Sequence, residues 1–564
     1  MKTIIGCAYL FAAQFVAQAA PVVPPTMQHH GIGRTAIAAS GHPLATDAAL
    51  AAFRIGGNAV DAAVATGLTL GVVDGHNSGI GGGCFMLIHL PDGEVLAIDG
   101  REMAPAKAHR DLFIRDGKPE SQLSKSGALA SGIPGSLAVY DYVLREYGNL
   151  RLADLLLPAA TIAEKGFPID AVWARKLKAV VNDVKRFPYS ASILLRNDGT
   201  TMQAGDIVVQ KDLAKTYRAI ASKGVGHFYG GSFASKTAEW MEGNDGIITE
   251  RDFKNYIIKL RKPVQTTYRG HTIYGFPPPS SGGVHVAQVL NMLEGYDVGS
   301  LRKAERVHLF IEAEKRAFAD RAFWLGDADF AKVPRGLIDE GYARQLAEGI
   351  SLNTTTKVPG HGNPPKAKKD LFNKHTTHFT TADAEGYWVA CTATVNTGFG
   401  SKVMIPGTGV IMNNQMDDFS AQPGVPNAFH LIGAEANSVQ PGKRPLSSMS
   451  PTIVAKDGKP VMTVGAAGGP TIITQTLLAI IGKIDLHLSL LKSIELPRYH
   501  HQWSPDEVRT ERELAKPVQD ALKAKGHKLY LRSTYGVTHA ISVKEDGGFE
   551  AVSDPRVFGR ADGF

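Results

Sequence analysis

The chain changes character abruptly near residue 376, and no other feature limits its fold so strongly. Upstream, residues 354–370 read TTTKVPGHGNPPKAKKD, a basic Pro/Gly-rich tether without hydrophobic period. Downstream, residues 378–396 read HFTTADAEGYWVACTATVN, two alternating runs about a turn, which predicts a β-hairpin. Between them stand Thr376 and Thr377, flanked by His375 and His378. A threonine in a strand is ordinarily just a β-former. The exposed tether in front of it raises a second reading. A hydroxyl is a poor nucleophile without a base, and cleavage before Thr376 supplies one on the same residue, an α-amino group titrating at about 7.7–8.0. The tether then reads as a processing site, with the cut at His375–Thr376.

The other end of the chain predicts where this happens. MKTIIGCAYLFAAQFVAQAAPVVPP has an early lysine, an apolar run and small residues at Ala17 and Ala19. That is the pattern of a secretory signal over 1–19, too short and wrongly flanked to span a bilayer. Cutting one residue later would leave Pro21 at the new amino terminus. No later stretch is long enough to cross a membrane, so the expectation is an exported protein, periplasmic or secreted, with no membrane span. Removing Cys7 leaves Cys84 and Cys391, both in apolar or Gly-rich runs. Two buried free thiols are predicted; one long-range disulfide stays open, and a disulfide framework is excluded. The formal charge of +7 is scattered over 564 residues, with no aromatic–basic stripe, which argues against a nucleic-acid partner.

A coarse reading along the chain suggests stacked α/β layers. Residues 37–73 are Ala-rich and read as helical, with Thr46 or Asp47 capping one helix, Gly56-Gly57 stopping it and Asn58 capping the next. Cys84 to Ile98 alternates about Pro91-Asp92-Gly93 as a hairpin, and helices dominate 136–260. A strand at 271–276 meets a Pro/Ser/Gly turn and a helix to about Gly295, and another helix covers 304–323. Past the tether come short strands, a helix near 472–482 and closing strands at 540–552.

Several motifs invite functions that their contexts refuse. Gly79-Ile80-Gly81-Gly82-Gly83-Cys84 suggests a dinucleotide site, but a helix precedes it and a strand follows, the reverse of what that fingerprint needs. A tight backbone turn is the better reading. His500-His501 lacks any metal-ligand spacing, so no metal is expected. There is no Gly-x-Ser-x-Gly elbow, and Ser447-Ser448 by itself reads as capping.

The separated motifs GIGGGCF, IDGREMAPA, PPPSSGG, AEKRAFADR, TTHF, NTGFG, NNQMDDFS, KRPLSSMSPT, AAGGP, RYHHQW and SDPR occur in an order that resembles the γ-glutamyltranspeptidases (glutathione hydrolases) among the amino-terminal-nucleophile hydrolases. The resemblance runs through nearly all of the mature chain. It implies an α/β fold, a four-layer αββα sandwich, made as one precursor and split into a large subunit, 20–375, and a small catalytic subunit, 376–564, that stay together as a heterodimer. It implies glutathione and other γ-glutamyl compounds as donors, amino-acid or peptide acceptors, and no cofactor.

The same resemblance assigns residues. Thr376 matches the nucleophile and Thr394 the threonine that holds it. Arg101 would clamp the substrate α-carboxylate in the two-pronged manner a guanidinium favours, aided by Ser447 and Ser448. Asp418 would pair with the α-ammonium, helped by Asn396 and Gln415. Gly468 and Gly469 would donate to the tetrahedral oxyanion from the start of a helix. Three positions depart from the family pattern: Cys84 replaces a glycine, Pro470 follows the oxyanion glycines, and Phe429 stands in the lid 421–443 where several bacterial relatives carry tyrosine. The rival within the superfamily is an acylase or a poly-γ-glutamate-processing enzyme; the rival outside it is an unprocessed binding protein.

Overall fold

The computed structural model describes residues 26–365, 378–532 and 536–564. The signal 1–19, the cleavage pair His375–Thr376 and the basic run 366–369 lie outside the described residues.

Two seven-stranded antiparallel sheets organise a mixed α/β fold. The first runs Arg560–Gly563, Ala36–Ser40, His378–Asp383, Trp388–Thr394, Gly83–His89, Val95–Gly100, Lys259–Arg261. The second runs His30–Gly33, Phe549–Ser553, Val537–Val543, Lys459–Ala467, Thr452–Lys456, His271–Gly275, Val264–Tyr268. Each sheet takes strands from both sides of residue 376.

The predicted hairpin is the middle of the first sheet, with His378 opposite Thr392 and Ala382 opposite Trp388. Alternation of this kind usually marks one wet face. Here every residue of both strands is buried. Phe379, Val389, Cys391 and Ala393 pack into the core shared with the helices Pro43–Arg54, Ala59–Val73 and Leu152–Lys165. The intervening polar positions meet the second sheet instead of water. The Thr380 and Thr463 hydroxyls pair across the gap at 2.8 Å, and a Cβ on Gly465 would sit 2.5 Å from the His378 ring. Polar residues are admitted there because each finds a partner. Phe85 stacking on Phe276 at 4.2 Å supplies the apolar part of the same interface. The outer face of the second sheet carries the helices Gly282–Leu293, Lys303–Trp324 and Thr471–Ile484.

Two local expectations need correction. The Ala-rich stretch read as helical from Ile37 begins as the strand Ala36–Ser40, paired with Thr380–Asp383. Small alanines suit a strand with both faces covered, and tertiary pairing overrides their helix propensity. The helix Pro43–Arg54 starts before Thr46 and Asp47. His42 caps it, its Nδ1 accepting from Leu44 N at 3.2 Å, because Pro43 fits the first turn with no N–H to satisfy. Thr46 and Asp47 instead bind Arg560, through its carbonyl (2.9 Å) and its guanidinium (2.7 Å). Asn58 does cap the next helix, in a capping box with Asp61. Among the described residues no helix is long and apolar enough to cross a membrane.

Candidate active site

The glycine turn 79–83 sets the site's depth. A Cβ on Gly81 would lie 2.0 Å from Ile411 O, and one on Gly82 1.8 Å from Thr394 O, so backbone packs directly on backbone. This close approach explains the glycines without a phosphate. The Asn413 side chain binds Gly81 O and Gly132 O, each at 2.8 Å, and accepts from Gln415 N at 3.0 Å. It thereby fixes the short turn Gln415–Asp418 beside the end of the Trp388–Thr394 strand. At that end Thr394 Oγ1 accepts from Asn396 N at 2.7 Å, and Asn396 takes a left-handed backbone, φ 78°.

Arg101, wholly buried at the end of the Val95–Gly100 strand, reaches Asp418 Oδ2 with Nη2 at 2.6 Å and Pro445 O with Nε at 3.2 Å. The two residues expected to hold opposite ends of a substrate are thus paired with each other. Burial pushes the Asp418 carboxyl up to about 7 while the Arg101 guanidinium draws it back down. Neighbouring Glu102, 3.5 Å from Arg101 Nη1, is pushed up by burial to about 8, with Arg101 opposing the shift. Ser447 and Ser448 are held from behind by the PPPSSGG turn, where Ser447 N donates to Pro279 O at 2.9 Å and Ser281 N to Ser447 O at 3.1 Å.

The notable feature of this cluster is what it leaves unmade. Asn396 Oδ1, Gln415 Oε1 and Nε2, Asp418 Oδ1 and Ser448 Oγ are buried without hydrogen-bond partners. Such groups are costly to desolvate and rare in native interiors. Gln415 and Asp418 share one turn against Arg101, Asn396 donates to Asn414 O beside that turn, and Ser448 follows Pro445, whose carbonyl binds Arg101; together they describe a recess short of a polar ligand.

Asn396 also lines a cavity of about 400 Å³, together with His378, Gly468, Gly469 and Phe429. Gly468 (φ 135°) and Gly469 (φ 63°) precede the helix Thr471–Ile484, with Pro470 as its cap. The Phe429 ring lies over Gly469, where an added Cβ would come within 2.7 Å of it. Gln502 Nε2 pins this part of the lid by donating to His430 O at 3.0 Å and Phe429 O at 3.3 Å. Asn396, Gln415, Asp418 and Ser448 thus contribute the unpartnered atoms near Arg101, Gly468 and Gly469 line the cavity with Asn396, and the Thr394 and Ser447 hydroxyls accept from Asn396 N and Met449 N; Thr376 and His375 lie outside the described residues.

Sequence reasoning passed over His378 and Glu102, though the TTHF and IDGREMAPA motifs contain them. Burial holds the His378 imidazole well below its usual range, so it is neutral, with Nδ1 3.0 Å from Thr392 Oγ1. His500 and His501 are buried structural residues, bound to Thr474 Oγ1 (2.7 Å) and Asp506 (3.0 Å). His308, Glu312 and His527 converge closely enough to suggest a metal. Glu312, however, already pairs with Arg316 at 2.9 Å and Lys315 at 3.5 Å, so cationic side chains occupy the ground a metal ion would need.

The family model described as gamma-glutamyltranspeptidase matches residues 45–564. The chain belongs to the γ-glutamyltranspeptidase family. It is 40% identical to the glutathione hydrolase proenzyme of Escherichia coli (strain K12), across 99% of this chain and 97% of that one. A cephalosporin acylase from Bacillus halodurans superposes with a TM-score of 0.84 at 25% identity, covering 98% of this chain and 99% of that one. A γ-glutamyltranspeptidase from Helicobacter pylori is 40% identical and has a TM-score of 0.55, over 56% of this chain and 92% of that one. Cys84 lies away from the site residues, on the other side of the first sheet. It packs in the helix-side core with Cys391, and both are free thiols.

Proposed function

We propose that the chain is a γ-glutamyltransferase and glutathione hydrolase, exported and matured by its own cleavage at His375–Thr376 into subunits 20–375 and 376–564. The helix–sheet–sheet–helix packing supports a four-layer αββα arrangement of the amino-terminal-nucleophile type. The observation that carries the reading is the set of unpartnered polar atoms around the Arg101–Asp418 pair. A γ-linked glutamate is a zwitterion at its backbone end. Its α-carboxylate takes over Arg101 with Ser447 and Ser448, and its α-ammonium takes over Asp418 with Asn396 and Gln415. The recess stays charge-balanced throughout, so no lone charge is left buried.

Chemistry follows from that anchoring. The Thr376 amino group accepts the proton of its own hydroxyl, and Oγ attacks the γ-carbonyl carbon. Thr394 holds the nucleophile in place, and the N–H groups of Gly468 and Gly469 receive the developing oxyanion. The amine leaves with the proton, and water or an acceptor amine attacks the ester, returning Thr376. No cofactor enters.

The likeness to an acylase keeps one rival alive, and the recess argues against it. An acylase need not read a free α-amino acid, whereas the ammonium and carboxylate of one match the donors and acceptors left open here. The test is release of product from a γ-glutamyl anilide, with and without a dipeptide acceptor, beside the glutaryl anilide that lacks the α-amino group. Turnover of the γ-glutamyl compound with strong preference over the glutaryl one supports the proposal; the reverse preference supports the acylase, and an intact, inactive chain supports a binding protein.

A further inference from the structure

Part of the cavity wall has no task in the chemistry above. Beyond Asn396 the lining continues onto the helix Ala171–Val184, which contributes Arg175 and Lys176, with Asp170 capping its first turn. Lys176 is half-buried, and its ammonium meets the side-chain oxygen of Asn77, a neutral amide. Among the described residues no carboxylate pairs with Lys176 or with the exposed Arg175. Asn77 ties this wall to the recess: its Nδ2 donates to Asp74 Oδ1 at 2.8 Å, and its carbonyl accepts from Val395 N at 2.9 Å, one residue before Asn396. Asp74 and Asp170 line the same cavity but neither forms an ion pair with Lys176, so the ammonium's one direct partner among the described residues is an amide, and an entering anion would give it a stronger one. Burial lowers the Lys176 pKa, with Asp74 and Asp170 opposing that shift.

We propose that Arg175 and Lys176 form a subsite for the terminal carboxylate of the peptide on the amine side of the γ-glutamyl bond. The inference rests on the γ-glutamyl transfer proposed above. In acylation the amide C–N bond breaks as Thr376 Oγ bonds to the carbonyl carbon, and the departing peptide amine takes the proton. In transfer the acceptor's amine attacks that carbon, its N–H proton passes to the Thr376 amino group, and the ester oxygen regains a proton. The two steps are the reverse of each other, so leaving and entering peptides follow one path and present their carboxylates to the same wall. A donor or acceptor ending in a free carboxylate is thereby preferred over one that ends in a neutral group.

The test compares kcat/KM for two γ-glutamyl anilides that differ only in a ring carboxylate. The parent protein favours the carboxylated one. Lys176→Met and Arg175→Ala each lower that preference by roughly tenfold, the weight of one charge-assisted hydrogen bond. Lys176→Arg retains most of it, and correct folding is read from self-cleavage into two subunits; Arg175→Ala, at an exposed position, guards against a loss that reflects misfolding of the Lys176 variant. KM for a dipeptide acceptor rises in the same variants, while KM for the corresponding dipeptide amide does not follow. A preference unchanged in both variants, or a parallel fall on both anilides, overturns the subsite and leaves the γ-glutamyl reading standing. A parent that turns over neither anilide overturns that reading and the subsite with it.

Discussion

Arg101 and Asp418 lie 2.6 Å apart in a place that water does not reach, and a substrate must exchange that pair for two new ones. Lysine at position 101 keeps the charge and loses the fork, so Arg101→Lys raises KM for glutathione by roughly ten- to a hundredfold, measured on protein that has cleaved itself. Asp418 gives a pH signature. Its carboxyl, pushed up to about 7 by burial, must be ionised to receive the substrate ammonium, so kcat/KM rises as pH increases through that value. In Asp418→Asn this limb vanishes from kcat/KM, while the limb owed to the Thr376 amino group remains in kcat. Arg101, Asp418, Ser447 and Ser448 were singled out because each sits inside a distinctive motif. The direct pairing of Arg101 with Asp418 was not legible, since it joins chain segments more than 300 residues apart. His378 escaped notice for a different reason: in a strand pattern it reads as one more polar alternate.

At the scale of elements, the lid makes the sharpest claim. Phe429 covers Gly469, and Gln502 holds the backbone beneath it. Phe429→Ala changes the ratio of transfer to hydrolysis more than the acylation rate, read by partitioning between water and a dipeptide acceptor; an unchanged ratio makes the segment a plain surface loop. The glycine turn makes a structural claim. Gly82→Ala drives a methyl into Thr394 O, costs about 3 kcal/mol and lowers the midpoint of thermal unfolding. Periodicity found the central hairpin and the helices at 282–293 and 303–324. It misplaced Ala36–Ser40 because alanine carries a helical propensity that only long-range pairing overrules. It also could not tell a wet face from a second sheet, since threonine serves both.

For the whole molecule, the arrangement of strands predicts that the proposed cleavage leaves the fold intact. In the first sheet Thr380–Asp383 pair with Ala36–Ala39, and Trp388–Thr394 with Gly83–His89, across the proposed cut. In the second, His271–Gly275 pair with Thr452–Lys456. Two fragments interleaved in this way co-purify and co-migrate by gel filtration, and separate only under denaturation. Thr376→Ala stays one chain and is inactive. The central claim, that Thr376 becomes an amino-terminal nucleophile carrying a γ-glutamyl group, is tested most directly by one mass measurement on the smaller fragment, before and after quenching with a γ-glutamyl donor. The expected fragment begins Thr-Thr-His-Phe and gains the mass of one glutamyl residue, attached to Thr376. A fragment with any other start, or an adduct on another residue, contradicts it.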